Sequence, residues 1–467
     1  MRKIILLLLA TSSLGACAVG PDYHPAQIAL TPAFASGPIA PAAQAWWRGF
    51  GDPLLTNVVE RALAQNLDLA AASARVDQAR AVAQGAGAAL LPTVEATGSA
   101  EQDHISQQTP FGAAAHQLGF PRDYALYQAG AQASWEIDVF GGLRRGRDAA
   151  RATFASEQAQ NAAVRLSIAA ETVDAYLQLR GLQARLQVAQ EQSANERALV
   201  DLIRQRVDQG VSADRDLNRA LGEQRGIEAS LSPLRAGIAG QLNRLDVLMG
   251  MQAGTGQVDM ATFAQIPLAP DPSGSAVPAE LMRRRPDVVA AERRAAAANA
   301  RIGVAVADYY PHVSLNGLLG VASVGTGGLF SGHSLQASGT AGLRWRLFDF
   351  GRVDAEVAQA RGQEAEMLAL YRGAVLRATE DVETALSRLR EERIAVVAYQ
   401  AQVSALTTAR DQARVAYQAG AVALVEVLDA DRALLDASDR LQMARAGAAR
   451  ASVATIRALG GGWENRA

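Results

Sequence analysis

Residues 133–220 are followed, 210 positions later, by a weaker copy of themselves. Trp135, Phe140, Gly141, Arg180, Gly210 and Ala220 align with Trp345, Phe350, Gly351, Arg390, Gly420 and Ala430. Further back the offset becomes 219, with Leu67-Asp68, Ala79 and Pro92 opposite Pro286-Asp287, Ala298 and Pro311, so the first copy carries nine extra residues between Pro92 and Trp135. Constant spacing over such lengths predicts two copies of one long structural unit, with length variation confined to a loop.

The N-terminus addresses the chain for export. Met1-Arg2-Lys3 is a basic n-region, and Ile4 to Ala10 is an apolar run too short to be kept as a spanning helix. Leu14-Gly15-Ala16-Cys17 resembles a bacterial lipobox, which implies a covalent lipid on Cys17 as the first residue of the mature protein. The resemblance also implies sorting to the outer membrane, because Ala18 is not the Asp that retains lipoproteins in the inner membrane. Cys17 is the one cysteine among 467 residues, which excludes an intrachain disulfide or a Cys-based metal site.

Removing Arg2 and Lys3 with the signal leaves 43 of the 45 basic residues against 47 acidic ones. That balance gives no concentrated positive surface for nucleic acid. No window beyond the signal offers 18 uninterrupted apolar residues, so any membrane-spanning part must be built from strands. Four segments alternate with period two. Between Tyr124 and Phe140, Ala125, Tyr127, Ala129, Ala131, Ala133, Trp135, Ile137 and Val139 oppose Gln128, Gly130, Gln132, Ser134, Glu136 and Asp138. The same pattern runs through 93–101, 312–321 and 340–347. Each is about 10 residues, long enough for a tilted strand to cross a bilayer. Four strands cannot close a barrel, since small barrels need about eight; either the sheet is soluble or several chains share one barrel.

No proline occurs from Arg122 to Ser232 or from His312 to the end, and Leu143 to Gln209 reads as one helix of 67 residues, roughly 100 Å long. Its distal half carries a three-four seam of Leu179, Leu182, Leu186, Ala189, Ser193, Glu196, Val200, Ile203 and Val207. The second copy offers Leu389, Val396, Tyr399, Val403, Leu406, Ala413 and Tyr417. Gly210 and Gly420 stand where a helix ends at a C-cap, and new helical patterns follow at once, so each copy predicts a helical hairpin with a tight tip.

Six sequence segments resemble the TolC/OprM-like outer membrane efflux proteins, specifically the NodT-type lipoprotein branch. They are Cys17 to Tyr23, Trp46 to Leu54, Arg283-Arg284-Arg285-Pro286-Asp287-Val288, Tyr417-Gln418-Ala419-Gly420, Val425 to Ala430, and Ala458 to Trp463. The resemblance implies a mixed α and β membrane protein, a homotrimer in which each chain gives four strands to a 12-stranded outer-membrane β-barrel continued by a periplasmic α-helical barrel. It divides the chain into a signal peptide (1–16), a lipidated linker (17–50), a first structural repeat (51–250), a connector at the surface (251–278), a second repeat (279–462) and a tail (463–467). The implied partners are a periplasmic adaptor docking at the tips around Gly210 and Gly420, an inner-membrane pump of the resistance-nodulation-division (RND) class, and outer membrane lipid. No cofactor and no metal are implied beyond the lipid on Cys17.

Carried over residue by residue, the family's gate carboxylates match Glu426 and Asp429, one helical turn apart so that both can face one axis. Asp216 matches an aspartate that ties neighbouring hairpins, and Tyr417 a tyrosine of the same latch. The arginine completing that latch in some members falls at Val422, so this chain lacks that bond. The same residues without the family read as solvated helix charges. An exit duct for type I protein secretion, or a coiled-coil scaffold lipoprotein without a pore, are the alternatives; the scaffold leaves four alternating strands unexplained. An enzyme reading rests only on Glu136 and Asp138, two apart on one predicted strand. The five histidines lie in loops, the linker or strand ends, none paired at H-x-x-x-H spacing. Arg283 to Arg285 reads as a solvated turn before Pro286, and Trp46-Trp47 as packing of the linker against helices.

Overall fold

The computed structural model describes residues 18–26, 28–31, 33–34, 44–255, 258–270 and 284–463. Cys17 and Arg283 lie outside these residues, as do the signal and most of the end of the connector. The chain forms two compact units. One takes the N-terminal stretch to Ala26 with 77–156 and 292–369; the other takes 27–76, 157–291 and 370–467.

The elements run α1 (Pro53–Gln65), α2 (Leu67–Ala88), β1 (Thr93–His104), α3 (Pro110–Gln117), β2 (Asp123–Ile137), α4 (Gly142–Asp208), α5 (Asp214–Leu248) and α6 (Val258–Ala261). They continue with α7 (Pro286–Ala307), β3 (His312–Ser323), β4 (Leu335–Arg344), α8 (Arg352–Gln418) and α9 (Leu424–Ala458). The lengths pair off: α2 and α7 have 22 residues, α4 and α8 have 67, and α5 and α9 have 35. Helix α5 continues through Pro233, which the sequence makes a natural place for a break. No helix among the described residues is long and apolar enough to cross a membrane.

In the first unit the strands form one antiparallel sheet in the order β1-β2-β3-β4. Directly opposed residues share a face, so register decides whether four separate alternations merge. They do. Val94 faces Ala133 and Ala100 faces Tyr127; Ala131 faces Leu319 and Trp135 faces Leu315; Leu315 faces Ala341 and Val313 faces Leu343. One face is apolar across all four strands. Gly130 and Gly320 oppose each other on β2 and β3, where a Cβ on Gly130 would come within 2.9 Å of the Gly320 Cα.

Two strands end earlier than the sequence reading has them. β2 stops at Ile137, because Asp138 turns away to cap α4, accepting from the Leu143 N–H at 3.0 Å and the Arg144 N–H at 2.8 Å. Glu136 and Asp138 are therefore not two residues of one strand, and Glu136 instead meets His312 Nδ1 at 2.8 Å. β4 stops at Arg344, so Trp345 and Leu347 lie beyond it. Trp345 Nε1 donates to the Tyr309 carbonyl at 3.0 Å, as Trp135 Nε1 does to the Leu90 carbonyl at 3.0 Å. Between β1 and β2 the longer loop contains α3, started by Pro110 and capped by Thr109, whose Oγ1 accepts from the Gly112 N–H at 3.1 Å. The N-terminal segment runs beside the start of α4: Val19 N–H donates to the Phe140 carbonyl at 3.0 Å, and Arg145 pairs with Asp22 at 2.8 Å.

The second unit is helical. Its main core gathers Trp46, Trp47 and Phe50 with Leu55, Val58, Tyr176, Leu177, Leu179, Met249 and Met260, which makes the paired tryptophans packing residues as expected. Two bidentate forks tie α4 to α9, Arg185 to Asp439 at 2.7 and 3.1 Å and Arg450 to Asp174 at 2.7 and 3.1 Å. The connector is not wholly at the surface. Met260 is fully buried, and the carbonyls of Met260, Ala261 and Thr262 are gripped by Arg180 and Gln183 of α4. Nor is Arg285 solvated. It is 8% exposed, donating to the Ala378 and Ala458 carbonyls at 3.2 and 3.1 Å and to Asp287 and Asp381. Burial works against its charge, but the two carboxylates outweigh it and hold the guanidinium above its ordinary value.

Candidate functional site

Both hairpin tips end their long helices by one motif. Gly210 and Gly420 adopt left-handed φ values of 71° and 76°. Gly210 N–H donates to the Val207 carbonyl at 2.9 Å and Val211 N–H to the Arg206 carbonyl at 2.8 Å. Gly420 N–H donates to Tyr417 at 3.0 Å and Ala421 N–H to Ala416 at 2.8 Å. These paired bonds are those of a Schellman cap, which satisfies the last carbonyls and reverses the chain within a few residues.

The two tips share a single apolar cluster. Leu199, Val200 and Ile203 of α4, Ala220 of α5, Tyr417 of α8 and Leu424, Val427 and Leu428 of α9 are all buried in it. Val422 packs at its edge. Tyr417 is 8% exposed, with the Arg206 guanidinium carbon 4.8 Å from its ring centroid. Because Val427 and Leu428 turn inward, Glu426 and Asp429 are left exposed on the other side of α9. Glu426 sits in the first turn of that helix, where the N-terminal dipole favours a negative charge. Asp216 is half-buried in the first turn of α5, 3.7 Å from Arg215 Nε. Within one chain, among the described residues, no hydrogen bond joins Asp216 to Tyr417.

Next to the apolar cluster lies a polar one that the motif reading did not single out. Asp431 of α9 is 2% exposed and accepts from Arg414 Nη2 of α8 at 3.0 and 3.1 Å, with Arg410 Nη1 at 3.8 Å. Glu196 of α4 is 1% exposed, and neither carboxylate oxygen has a hydrogen-bond partner. Burial, reinforced by the charges of Asp431 and Glu223 and opposed by Arg414, pushes its carboxyl from 4.5 up to about 7. A signal for this cluster exists in the sequence. Glu196 occupies a place in the apolar seam of α4, and Asp431 continues the inward row Leu424, Val427, Leu428 on α9. Among the described residues, no group of three or more His, Cys, Asp or Glu is disposed to hold a metal ion.

A sheet with one continuous apolar face, joined in sequence to two pairs of 67- and 35-residue helices, is a combination that known proteins share. The family model described as outer membrane efflux protein matches residues 58–251 and 277–461. The chain belongs to the outer membrane efflux protein family. Pyoverdine export outer membrane protein OpmQ of Pseudomonas putida is 33% identical over 484 residues, covering 99% of this chain and 98% of the relative. Nodulation protein T of Rhizobium leguminosarum bv. trifolii is 28% identical, over 90% of this chain and 89% of its own. The solved outer-membrane channel OprN superposes with a TM-score of 0.87 at 33% identity, covering 96% of this chain and all of that one. As a member of this family the chain is an outer membrane efflux protein, a transport duct and not an enzyme.

Proposed function

We propose that this outer membrane efflux protein is the passive exit duct of a tripartite pump, assembled as a homotrimer whose three sheets close one 12-stranded barrel. The observation that carries the reading is the four-stranded sheet, apolar over one whole face and open at both edges, β1 and β4. Such edges demand a partner strand, and three copies of four strands supply a closed ring wide enough for a water-filled bore. The paired helix lengths support two structural repeats per chain. The seam of α8 supports a neighbouring copy, for Val396, Tyr399, Val403 and Leu406 are only half-buried in a single chain, and Ile394 and Val397 are 57% and 72% exposed.

In this reading a lipid on Cys17 holds the chain to the membrane, consistent with Val19 bonding to Phe140, three residues past the end of β2. The tips around Gly210 and Gly420 receive a periplasmic adaptor, which links them to an inner-membrane pump of the RND class. Three copies of Glu426 and Asp429 form two acidic rings that favour cations and bind divalent ions. Asp216 and Tyr417 serve the contacts between neighbouring hairpins that keep the tips closed. The cargo is a small toxic or exported compound chosen by the pump. In planar bilayers the wild-type trimer should show a small conductance blocked by divalent ions, and the Glu426→Ala/Asp429→Ala variant a larger one without the block. A variant with unchanged conductance and unchanged block refutes the gate assignment, and a well-inserted trimer that never conducts refutes the duct.

A further inference from the structure

Glu196 is an acid placed where a leucine belongs. It lies in the inward seam of α4 between Ser193, which is 3% exposed, and Val200, which is 2% exposed. Charged groups approach it from every neighbouring element. From α8 comes Arg414, from α9 Asp431 and from α5 Glu223, while Arg410 and Arg432 lie beside Asp431 and Glu223 in turn. None is disposed to neutralise it. Arg414 is spent on Asp431 at 3.0 Å, Arg410 pairs with Asp411 at 2.7 Å, and Arg432 lies nearest Glu223 at 3.9 Å. The Nε of Arg414 is buried without a partner, as are both Glu196 oxygens, so a buried donor and a buried acceptor are left unpaired.

A carboxylate so enclosed would carry a full charge with no hydrogen bond, whereas the neutral acid is tolerated at the cost of an unmade bond. In water the preference reverses. We propose that Glu196 is a proton-operated lock of the hairpin tips, protonated while α4 packs against α8 and α9 and ionised when these helices part. The inference rests on the gated-duct reading above and adds to it a positioning group that no motif marks. It differs from the acidic rings in place and in sign of action. Glu426 and Asp429 face solvent and act on ions in the bore, while Glu196 acts on helix packing. Since the packed arrangement holds the proton, acid favours closure, and the lock weakens as pH rises from the ordinary carboxyl range through about 7.

The test uses full-length trimers in planar bilayers between pH 5.5 and 8.5. Wild-type open probability should climb on the order of tenfold across neutral pH. Glu196→Gln, neutral at every pH and nearly the same shape, should stay at the low-pH level throughout. Infrared spectra of the same samples should show a protonated carboxyl band above pH 6 that is absent from Glu196→Gln. A variant that titrates like wild type, or a wild type without that band, overturns the lock. The Glu426→Ala/Asp429→Ala variant keeps the two ideas apart: it should lose the divalent block yet keep the step near neutral pH. If no sample conducts, the duct reading fails, while the carboxyl band still decides the state of Glu196.

Discussion

Arg180 and Glu196 lie on the same helix, 16 residues or roughly 24 Å apart, and each is 1% exposed, yet their surroundings are opposite. Arg180 is held through both terminal nitrogens, with only its Nε left buried without a partner. Its Nη1 donates to Gln183 Oε1 and the Thr262 carbonyl, both at 2.7 Å, and its Nη2 to Tyr176 Oη at 3.0 Å. Tyr176 in turn donates to Asp52 at 2.7 Å, and Asp52 caps α1. Burial first, and the bond to Asp52 second, push the Tyr176 hydroxyl up to about 12, so it remains a donor at any physiological pH. Glu196 has no partner at all. A buried charge held by several bonds fixes the packing around it; a buried acid with none makes packing depend on protonation. The second unit thus carries a rigid node in its middle and a releasable one near its tips.

Breaking the rigid node should have the largest effect. Arg180→Ala removes the guanidinium that joins Tyr176, Gln183 and the connector carbonyls, and should cost about 3–5 kcal/mol. The readout is a lowered midpoint in helical circular dichroism on heating, with faster proteolysis of the connector around Thr262. A change under 1 kcal/mol would mean that the network is ornamental and the contrast unfounded.

At the releasable node the effect should be smaller and depend on pH. Glu196 binds its proton more tightly in the folded chain than in the unfolded one. Its contribution to stability is therefore complete below the ordinary carboxyl value of 4.5 and lost as pH rises through about 7. Glu196→Gln should match wild type at pH 4.5 and exceed it by about 1–3 kcal/mol at pH 8, read from urea unfolding at the two pH values. Equal stability difference at both would remove the basis for calling this node releasable.

The smallest effect belongs to the caps. Gly210→Ala and Gly420→Ala meet no atom within 4 Å, so only the left-handed backbone opposes them, at about 1 kcal/mol each. Their influence should be confined to the tips, with amide exchange accelerated at Val211 or Ala421 and unchanged around Arg180.

Much of this architecture was legible in the sequence because it rests on local periodicity. Alternation placed the four strands, since one parity of side chains must share a face. Proline-free length and a glycine placed the first 67-residue helix to within a residue of Gly142–Asp208. What escaped was decided by distant segments. Arg285 looked solvated beside Arg284, and only the carbonyls of Ala378 and Ala458 turn it inward. Asp138 carried the polar parity of a strand but was claimed by the amides at the start of α4. Met260 sat in a Gly- and Pro-rich stretch that gave no sign of its burial. Of the site, the helix-ending positions of Gly210 and Gly420 followed from pattern. The Asp431–Arg414 pair links residues 17 positions apart on two helices, a contact no single helical period announces.

The claim on which the account turns is that three sheets close one barrel through the free edges β1 and β4. It is tested most directly by placing cysteines at Thr97 of β1 and Ser338 of β4, two positions of the same polar parity, and adding a short bifunctional maleimide to intact outer membranes. The account predicts covalent dimers and trimers, with no species beyond three chains and none when either cysteine is present alone. An unbounded ladder, or chains that never cross-link through these edges, would contradict it.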